Sequence, residues 1–211
     1  MADQLPPAAA APDAPGLAET LRRALAPGKP VTARLLLEAF GERSFGLLLS
    51  LINLPNVVFA PPALAGIAAV PTAALGFQML LGRDRPWLPA ALLDRPVAAD
   101  PLTRMLRRAG PWLDRLDALG RPRLAAAAGP LAIRVFGLFA LAAALIVLVP
   151  VPGTNVLPAL ALVVMNVALA RRDGLLFLAG VAIGLAGIAV AAAAAGLAIE
   201  LLRWAVAAGS P

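Results

Sequence analysis

The run GLLFLAGVAIGLAGIAVAAAAAGLAI, residues 174–199, contains neither a charged residue nor a proline. A transmembrane helix needs about 20 consecutive apolar residues, and this run is long enough to supply them. The sequence therefore predicts a transmembrane helix here, within a C-terminal region of residues 174–211 that ends in a short tail. Because Gly184, Gly187 and Gly196 lie among many alanines, we expect another helix to approach this one closely.

The rest of the chain is also unusually apolar. Of its 211 residues, 61% are hydrophobic and 14% are charged, and the mean hydropathy is +0.85. An ordinary soluble domain carries about 25% charged residues. A globular core of this size buries only part of its side chains, so the excess of apolar surface has no interior to occupy in water. The composition predicts an all-α integral membrane protein.

The residue types that are missing exclude several kinds of chemistry. The chain has no Cys and no His, which excludes thiolate or imidazole nucleophiles, disulfides and zinc sites of the usual kind. Only 12 residues are acidic, and they form no dense motif of the kind that holds Mg²⁺ in a lipid phosphotransferase. We therefore expect no enzymatic activity, no metal and no cofactor. The net charge of +6 favours anionic lipids as a partner, not nucleic acid.

The N-terminal residues 1–30 are rich in Ala and Pro, and we expect a disordered arm with room for one short helix. They lack the features of a secretory signal, so we place the N-terminus in the cytoplasm. From Thr32, a candidate N-cap, apolar residues share one helical face with Leu36. This pattern is typical of an amphipathic helix that lies at the membrane interface.

The first strongly apolar region completes a unit of residues 31–82. Prolines interrupt it, Pro55 and Pro61 among them, and the uninterrupted pieces are shorter than a spanning helix. Polar Asn53 and Asn56 lie beside the first break. Backbone freed at membrane depth is tolerated where protein or a water-filled cavity surrounds it, so the pattern favours a proline-broken hairpin, spanning or re-entrant.

Residues 83–130 form a basic segment. Between Arg83 and Arg123 the sequence has nine arginines against five aspartates, which predicts a cytoplasmic loop. Apolar residues from Leu102 to Leu119 recur at helical spacing, and Pro111 is expected to split them into two short amphipathic helices. Two interpretations stay open: the apolar stripe lies on the membrane surface, or it packs on the protein itself.

Residues 131–173 contain a second hairpin, interrupted by Pro150, Pro152 and Pro158. The sequence RVFG at 134–137 echoes RSFG at 43–46, an offset of 91 residues. Arg172 and Asp173 echo Arg83 and Asp84 at an offset of 89 residues, and we interpret both pairs as a cytoplasmic motif. The near-constant offset predicts an internal repeat, with the two breaks facing each other around a pseudo-two-fold axis.

Several short motifs resemble the ExoD family of bacterial exopolysaccharide synthesis. They are GER followed by FG at 41–46, LPN at 54–56, GRDRPWLP at 82–89, PVPGTNVLPA at 150–159 and RRDG at 171–174. The resemblance covers approximately residues 31–199. It implies a bacterial inner-membrane, multi-pass protein linked to exopolysaccharide production, and it implies no particular reaction.

The breaks in the two hairpins suggest a substrate site. In many transporters, broken helices from two repeats meet near the midplane and present helix N-termini to an anionic substrate. The candidate binding residues are Asn56, Asn155, Thr154, Arg43, Arg134 and Glu42. The alternative is that the arginines anchor the protein at the membrane interface while the Asn and Thr side chains cap helices.

Two functions follow from these interpretations. The first is a transporter or flippase of an anionic substrate, either phosphorylated or a lipid-linked sugar. The second is a non-catalytic scaffold for the polysaccharide-synthesis machinery. A homo-oligomer is compatible with both. The charge distribution places the arm, the basic segment and residues 171–173 in the cytoplasm, and Pro211 in the periplasm.

Overall fold

The computed structural model describes residues 16–25, 32–41, 44–58, 62–83, 85–96, 99–124, 129–148 and 154–209. Over these ranges the chain is helical and forms no β-strand, which confirms the predicted all-α class. The helices are α1 (Leu17–Ala24), α2 (Ala33–Phe40), α3 (Ser44–Val58), α4 (Pro62–Leu80), α5 (Ala90–Leu93), α6 (Ala99–Leu119), α7 (Pro130–Leu148), α8 (Val156–Arg171) and α9 (Gly174–Gly209).

Helix α8 lies at the centre of the fold. Every side chain from Ala161 to Ala168 is buried, so this helix has no solvent face over two turns. It packs mainly against α9 and α3, with smaller contacts to α7 and α6. A helix that is apolar all round is buried inside a protein or in a membrane. The continuous apolar character of this sequence is thus explained by neighbours on all sides.

Helices α4 and α7 pack together at a pair of glycines. An added Cβ on Gly76 would lie 2.7 Å from the carbonyl oxygen of Gly137, and one on Gly137 would lie 2.8 Å from the carbonyl oxygen of Gly76. Because neither residue has a side chain, the two backbones approach each other directly. Small residues permit this kind of close packing between apolar helices.

Helices α1 and α6 form an outer, charged layer. The apolar stripe of α6, from Leu102 to Leu113, is buried in a cluster with Leu21 of α1 and with side chains of α2, α3 and α8. Arg22 pairs with Asp114 at 2.7 Å on the outer side. The described part of the stripe therefore packs on the protein itself, which is the second of the two interpretations of this segment.

The predicted split of the amphipathic segment at Pro111 is wrong, since α6 runs through this residue from Ala99 to Leu119. A proline inside a helix removes one hydrogen bond, to the carbonyl four residues earlier. Here that carbonyl belongs to Arg107, and both residues lie on the exposed side, where water can take the place of the missing donor. Packing of the buried stripe before and after Pro111 keeps the helix continuous.

The predicted break at Pro55 is also misplaced. Helix α3 continues through Pro55 to Val58, and α4 begins at Pro62. Pro158 is the third residue of α8, where a backbone N–H has no intrahelical partner, so it does not interrupt the helix either. The predicted breaks at Pro61, Pro150 and Pro152 lie outside the described residues.

Two local expectations for the N-terminal region are confirmed, the short helix and the cap at Thr32. Helix α1 is the short helix for which the arm leaves room; residues 1–15 and 26–31 lie outside the described ranges. Thr32 caps α2, because its side-chain oxygen accepts a hydrogen bond from the N–H of Leu35 at 3.2 Å. Leu36 is buried in the same cluster as the α6 stripe.

Helix α9 begins at Gly174, as predicted, and extends beyond Ile199 to Gly209. Among the described helices it is the one long and apolar enough to cross a membrane. Gly184 and Gly187 lie against α7 and α8; a Cβ on Gly187 would meet Pro158 Cδ at 3.0 Å. No described atom lies within 4 Å of the corresponding position on Gly196, so the predicted close approach holds for the first half of this helix.

Candidate functional site

A stripe of buried polar side chains runs along α3. Ser50, Asn53 and Asn56 recur at every third residue, and each is at most 2% exposed. A three-residue spacing keeps side chains on one side of a helix. Apart from Ser44 at its start, the rest of the helix is apolar, so this stripe brings hydrogen-bonding groups into the interior of the bundle.

Ser50 and Asn53, the first two residues of the stripe, make structural hydrogen bonds. The amide nitrogen of Asn166 on α8 donates to the hydroxyl of Ser50 at 2.8 Å. The amide nitrogen of Asn53 donates to the carbonyl of Leu49 at 2.9 Å and to the hydroxyl of Thr72 on α4 at 3.0 Å. These bonds connect α3 to α8 and to α4, and they account for four of the buried polar residues without a ligand: Ser50, Asn53, Thr72 and Asn166.

Asn56 and Asn155 are different, because each has a polar atom without a partner. The side-chain nitrogen of Asn56 and the side-chain oxygen of Asn155 are buried and make no hydrogen bond to any residue of the described ranges. Asn155 stands at the N-cap of α8, but its side chain makes no capping bond. Leaving such a group unpaired costs about 1–3 kcal/mol, so these atoms require an explanation.

The two asparagines lie at the same end of the α3–α8 pair. Gly46, near the start of α3, lies against the side-chain oxygen of Asn166, near the end of α8, and the two helices pack together over much of their length. At about 1.5 Å per residue, Asn56 is about 15 Å from this contact along α3, and Asn155 is about 16 Å from it along α8. Antiparallel packing therefore brings both to the same end of the pair, where α3 ends and α8 begins.

The other predicted binding residues lie in different places relative to this pair. Thr154 is buried next to Asn155. Arg134 is exposed, and it lies in the second turn of α7, about 21 Å along the helix from Leu148. It thus lies near the start of α7, at the opposite end of this helix from Leu148, in a position that suits an interface anchor. Arg43 and Glu42 lie outside the described residues.

The residues of the predicted cytoplasmic motif cap helices. After α4, Gly82 adopts a left-handed conformation, and its N–H donates to the carbonyl of Met79, three residues back, at 3.0 Å. The N–H of Arg83 donates to the carbonyl of Gln78, five residues back, at 3.2 Å. After α8, the left-handed Arg172 and the following Asp173 make the same two bonds, at 3.2 and 2.9 Å. This pattern is a Schellman-type helix end, and it occurs at both places. Asp84 is not among the described residues.

Asp173 has a second structural role. One carboxylate oxygen accepts the N–H of Leu176 at 3.0 Å and so caps the start of α9. The other accepts the N–H of Arg121 at 2.9 Å. Asp173 is 3% exposed, and these bonds join the segment after α6 to the start of α9. Both oxygens of its carboxylate therefore make structural hydrogen bonds.

Sequence reasoning missed Ser50 and Asn166. The three-residue spacing of Ser50, Asn53 and Asn56 in an apolar stretch was a usable signal for a polar stripe. Asn166 carries no comparable local signal, because its partner is 116 residues away in the chain.

Comparisons with known proteins match this chain to one family. The family described as "Exopolysaccharide synthesis, ExoD" matches residues 17–193. Protein ExoD of Rhizobium meliloti is 33% identical over 160 residues, which cover 72% of this chain and 65% of that protein. An uncharacterized protein of Synechocystis is 28% identical over 146 residues, 66% of each chain.

The aligned parts thus span slightly less than two thirds of the length of either relative. No solved structure matches this chain. The family match covers most of the sequence, including α1 to α8 and the first half of α9. This chain belongs to the ExoD family of exopolysaccharide synthesis.

Proposed function

We propose that this chain is a bacterial inner-membrane protein that moves a precursor of exopolysaccharide, phosphorylated or lipid-linked, across or within the membrane. The observation that carries the proposal is that the side-chain nitrogen of Asn56 and the side-chain oxygen of Asn155 are buried without a hydrogen-bond partner among the described residues. Polar groups of this kind are costly inside an apolar protein and are usually kept for a reason. A substrate that completes their hydrogen bonds provides that reason.

Insertion into a membrane is supported by the outer surface of three helices. Large apolar side chains are exposed along α4, α7 and α9, among them Val70, Phe77, Leu138, Leu145 and Leu185. Soluble monomers rarely expose apolar surface of this extent. The opposite side, formed by α1 and α6, carries exposed arginines. We assign the apolar side to lipid and the charged side to the cytoplasm and to anionic headgroups, with the N-terminus in the cytoplasm.

The depth of the hairpin is estimated from its packing on α9. The start of α8 lies beside Gly187, which is about 20 Å along α9 from Gly174. The uncharged part of α9 continues for about 18 Å more, to Ile199. If α9 crosses the bilayer, the turn before α8 therefore lies within it and not at the far surface. This supports a re-entrant hairpin, which enters and leaves on the cytoplasmic side.

The internal repeat is supported by equivalent contacts in the two halves. The first helix of each hairpin packs on the second helix of the other, α3 on α8 and α7 on α4. Gly46 of α3 lies against Asn166, and Gly137 of α7 lies against Gly76. Each of these positions is displaced by 90 or 91 residues from its counterpart. The matching caps after α4 and α8 support the same pseudo-two-fold relationship.

The repeat does not relate the two asparagines to each other. At an offset of about 90 residues, the counterpart of Pro61 is the region of Pro152, and Asn56 corresponds to a position in α7. In this proposal the two asparagines come close because α3 packs on α8. They do not occupy equivalent positions in the two repeats. The substrate site is therefore on one side of the pseudo-two-fold axis.

The experiment uses a strain that lacks its own ExoD and fails to make polysaccharide. We expect Asn155→Ala and Asn56→Ala to abolish complementation while the purified proteins melt within a few degrees of the parent. Asn53→Ala is the matched control for a buried asparagine whose hydrogen bonds are complete, and it should lower the melting temperature. Normal polysaccharide production by both Asn56 and Asn155 variants would contradict the proposal.

A scaffold is the second candidate, and the far half of α9 favours it. From Ala189 to Ala208 this helix extends beyond the described bundle, and Leu197, Leu201 and Trp204 are more than half exposed. A second copy of the chain or another membrane protein could pack there. Bulky substitution at Gly196, for example Gly196→Leu, should then stop polysaccharide production, whereas a transporter with lipid around α9 should tolerate it.

A further inference from the structure

The short segment after α4 carries an exposed tryptophan. Trp87 is 62% exposed, and it lies in the stretch GRDRPWLP at 82–89. The proposed function gives this tryptophan no role. Arg83 and Arg85, in the same stretch, are also exposed. A single exposed apolar side chain is ordinary on a protein surface, so Trp87 is informative only if the fold holds it in place.

Gln78 of α4 holds the backbone of Trp87 with both ends of its side-chain amide. Its oxygen accepts the N–H of Trp87 at 2.6 Å, and its nitrogen donates to the carbonyl of Trp87 at 3.2 Å. Because a backbone N–H only donates and a carbonyl only accepts, these partners determine the orientation of the amide. The next residue, Leu88, packs on the buried cluster that contains Met79. The backbone is thus held at two adjacent residues while the indole stays exposed.

The indole lies at the edge of an apolar surface. The bonds from Gln78 bring Trp87 beside the last turn of α4, where Phe77 and Leu81 are 56% and 62% exposed. This is the side of the bundle that we assign to lipid. The chain becomes basic directly after this turn, from Arg83 onward. Tryptophan is enriched where an apolar membrane surface gives way to headgroups, because its ring is apolar and its N–H is polar.

The level of Trp87 in the bundle is also consistent with a membrane interface. Met79, Ala132 and Phe177 belong to one buried cluster, so the end of α4 lies beside the start of α7 and the start of α9. At about 1.5 Å per residue, Trp204 is about 40 Å from Phe177 along α9. A bilayer with its headgroups is about 40–45 Å thick. Since Trp204 is 73% exposed, the two exposed tryptophans are separated along α9 by approximately the thickness of a bilayer.

We infer that Trp87 anchors this end of the bundle in the headgroup region of the cytoplasmic leaflet, and that Gln78 determines the depth of the indole. The partner is the lipid bilayer itself. In this arrangement the arginines after α4 face lipid phosphates, and Trp204 occupies the headgroup region of the opposite leaflet. The inference rests on the membrane insertion that is part of the proposed function, and it adds the residues that fix how deeply the protein sits.

The test measures the depth of each exposed tryptophan by fluorescence. The chain has three tryptophans, and the third, Trp112, packs against the cluster of the α6 stripe. One protein keeps Trp87 alone through Trp112→Phe and Trp204→Phe, and a second keeps Trp204 alone through Trp87→Phe and Trp112→Phe. Each full chain is reconstituted in vesicles of phosphatidylcholine and phosphatidylglycerol. The phosphatidylcholine is unlabelled, brominated near the headgroup end of its acyl chains, or brominated near the methyl end.

We expect bromines near the headgroup to quench Trp87 more strongly than bromines near the methyl end, and we expect the same order for Trp204. Gln78→Ala removes both bonds to the backbone of Trp87. In the protein that keeps Trp87, this substitution should reduce quenching by lipid and increase quenching by iodide in the water. In the protein that keeps Trp204, it should leave quenching unchanged, which shows that the fold and the membrane insertion survive.

The outcomes separate the anchor from membrane insertion. Quenching of Trp204 but not of Trp87 by brominated lipid would overturn the anchor and leave membrane insertion intact. Stronger quenching of Trp87 by bromines near the methyl end would place the indole in the hydrocarbon core and overturn its position among headgroups. Unchanged quenching of Trp87 in Gln78→Ala would overturn the role of Gln78.

Two further outcomes concern other partners. Iodide quenching of Trp87 that added glucose relieves, without quenching by brominated lipid, would assign the indole to a sugar and overturn the lipid anchor. Absence of quenching of both tryptophans by every brominated lipid would overturn the inference together with the proposed membrane insertion.

Discussion

Gly76 and Gly137 face each other with each carbonyl oxygen less than 3 Å from the point where a Cβ on the other would stand. The contact joins the second helix of the first hairpin to the first helix of the second. Since the atoms in contact belong to the backbone, neither helix can yield by a change of rotamer. The separation of α4 and α7 is therefore determined by the absence of side chains at these two positions.

Substitution at this contact should be costly. Gly76→Ala forces the two helices apart, and overpacking of this kind costs about 1–3 kcal/mol. Gly196→Ala is the matched control, because its Cβ meets no described atom and alanine favours a helix over glycine by about 1 kcal/mol. Thermal unfolding in detergent should show a lower melting temperature for the first variant and an equal or higher one for the second. Equal melting of Gly76→Ala and the parent would contradict the described packing.

The buried asparagines should divide into two classes by stability. Asn166→Ala removes a hydrogen bond to Ser50 and leaves that hydroxyl buried, so we expect a loss of about 1–3 kcal/mol. Asn56→Ala leaves no partner unpaired among the described residues and should cost less. Denaturation of the two variants under one condition measures the difference. A larger loss for Asn56→Ala would mean that its amide is structural.

Asp173 should contribute to stability through its carboxylate. Asp173→Ala removes the N-cap of α9 and the bond to the N–H of Arg121, and loss of an N-cap alone typically costs about 1 kcal/mol. Asp100→Ala, at an exposed position in the first turn of α6, is the control and should cost less. Equal melting temperatures for the two variants would show that Asp173 does not have this structural role.

The Arg34–Asp94 pair predicts a dependence on pH. The hydrogen bond from Arg34, at 2.7 Å, holds the pKa of Asp94 below its ordinary value. A carboxylate whose pKa is lower in the folded state stabilises the fold above its unfolded pKa of about 3.9 and loses that contribution as pH falls through the folded value.

Asp94→Asn should therefore melt below the parent at neutral pH; the difference should begin to shrink as pH falls below about 4 and should vanish below the folded pKa of Asp94. The effect should be small and weaker in high salt, because both side chains are exposed. Melting curves of parent and variant across this pH range measure it. A difference that persists at low pH would assign the effect to something other than the ion pair.

Local features of the fold were predictable from the sequence, and the packing between helices was not. The uncharged run from Gly174, the cap at Thr32 and the apolar stripe of α6 each depend on neighbours in sequence. Pro55 and Pro111 were misjudged because a proline inside a helix is penalised locally, whereas packing on either side of it decides whether the helix continues.

The candidate site was partly predictable for the same reason. The sequence predicts Asn56 and Asn155 as site residues because they are amides close to prolines, which is a local signal. That each has a buried polar atom without a partner among the described residues depends on contacts between helices, which the sequence does not give. Arg134 lies near the start of α7, far from Leu148 at its other end. This position follows from the geometry of the helix, which a comparison of short motifs does not reveal.

The most direct test of the account is the membrane topology of the hairpin and of α9. Single cysteines in this Cys-free chain at Ala118, Val156 and Ala205 are treated in intact cells with an impermeant maleimide on a polymer too large to enter a cleft. The account predicts labelling at 205, none at 156, and labelling at 118 after the membrane is opened. Labelling at 156 as readily as at 205 would show that the hairpin reaches the periplasmic surface, and labelling at 118 in intact cells would reverse the orientation.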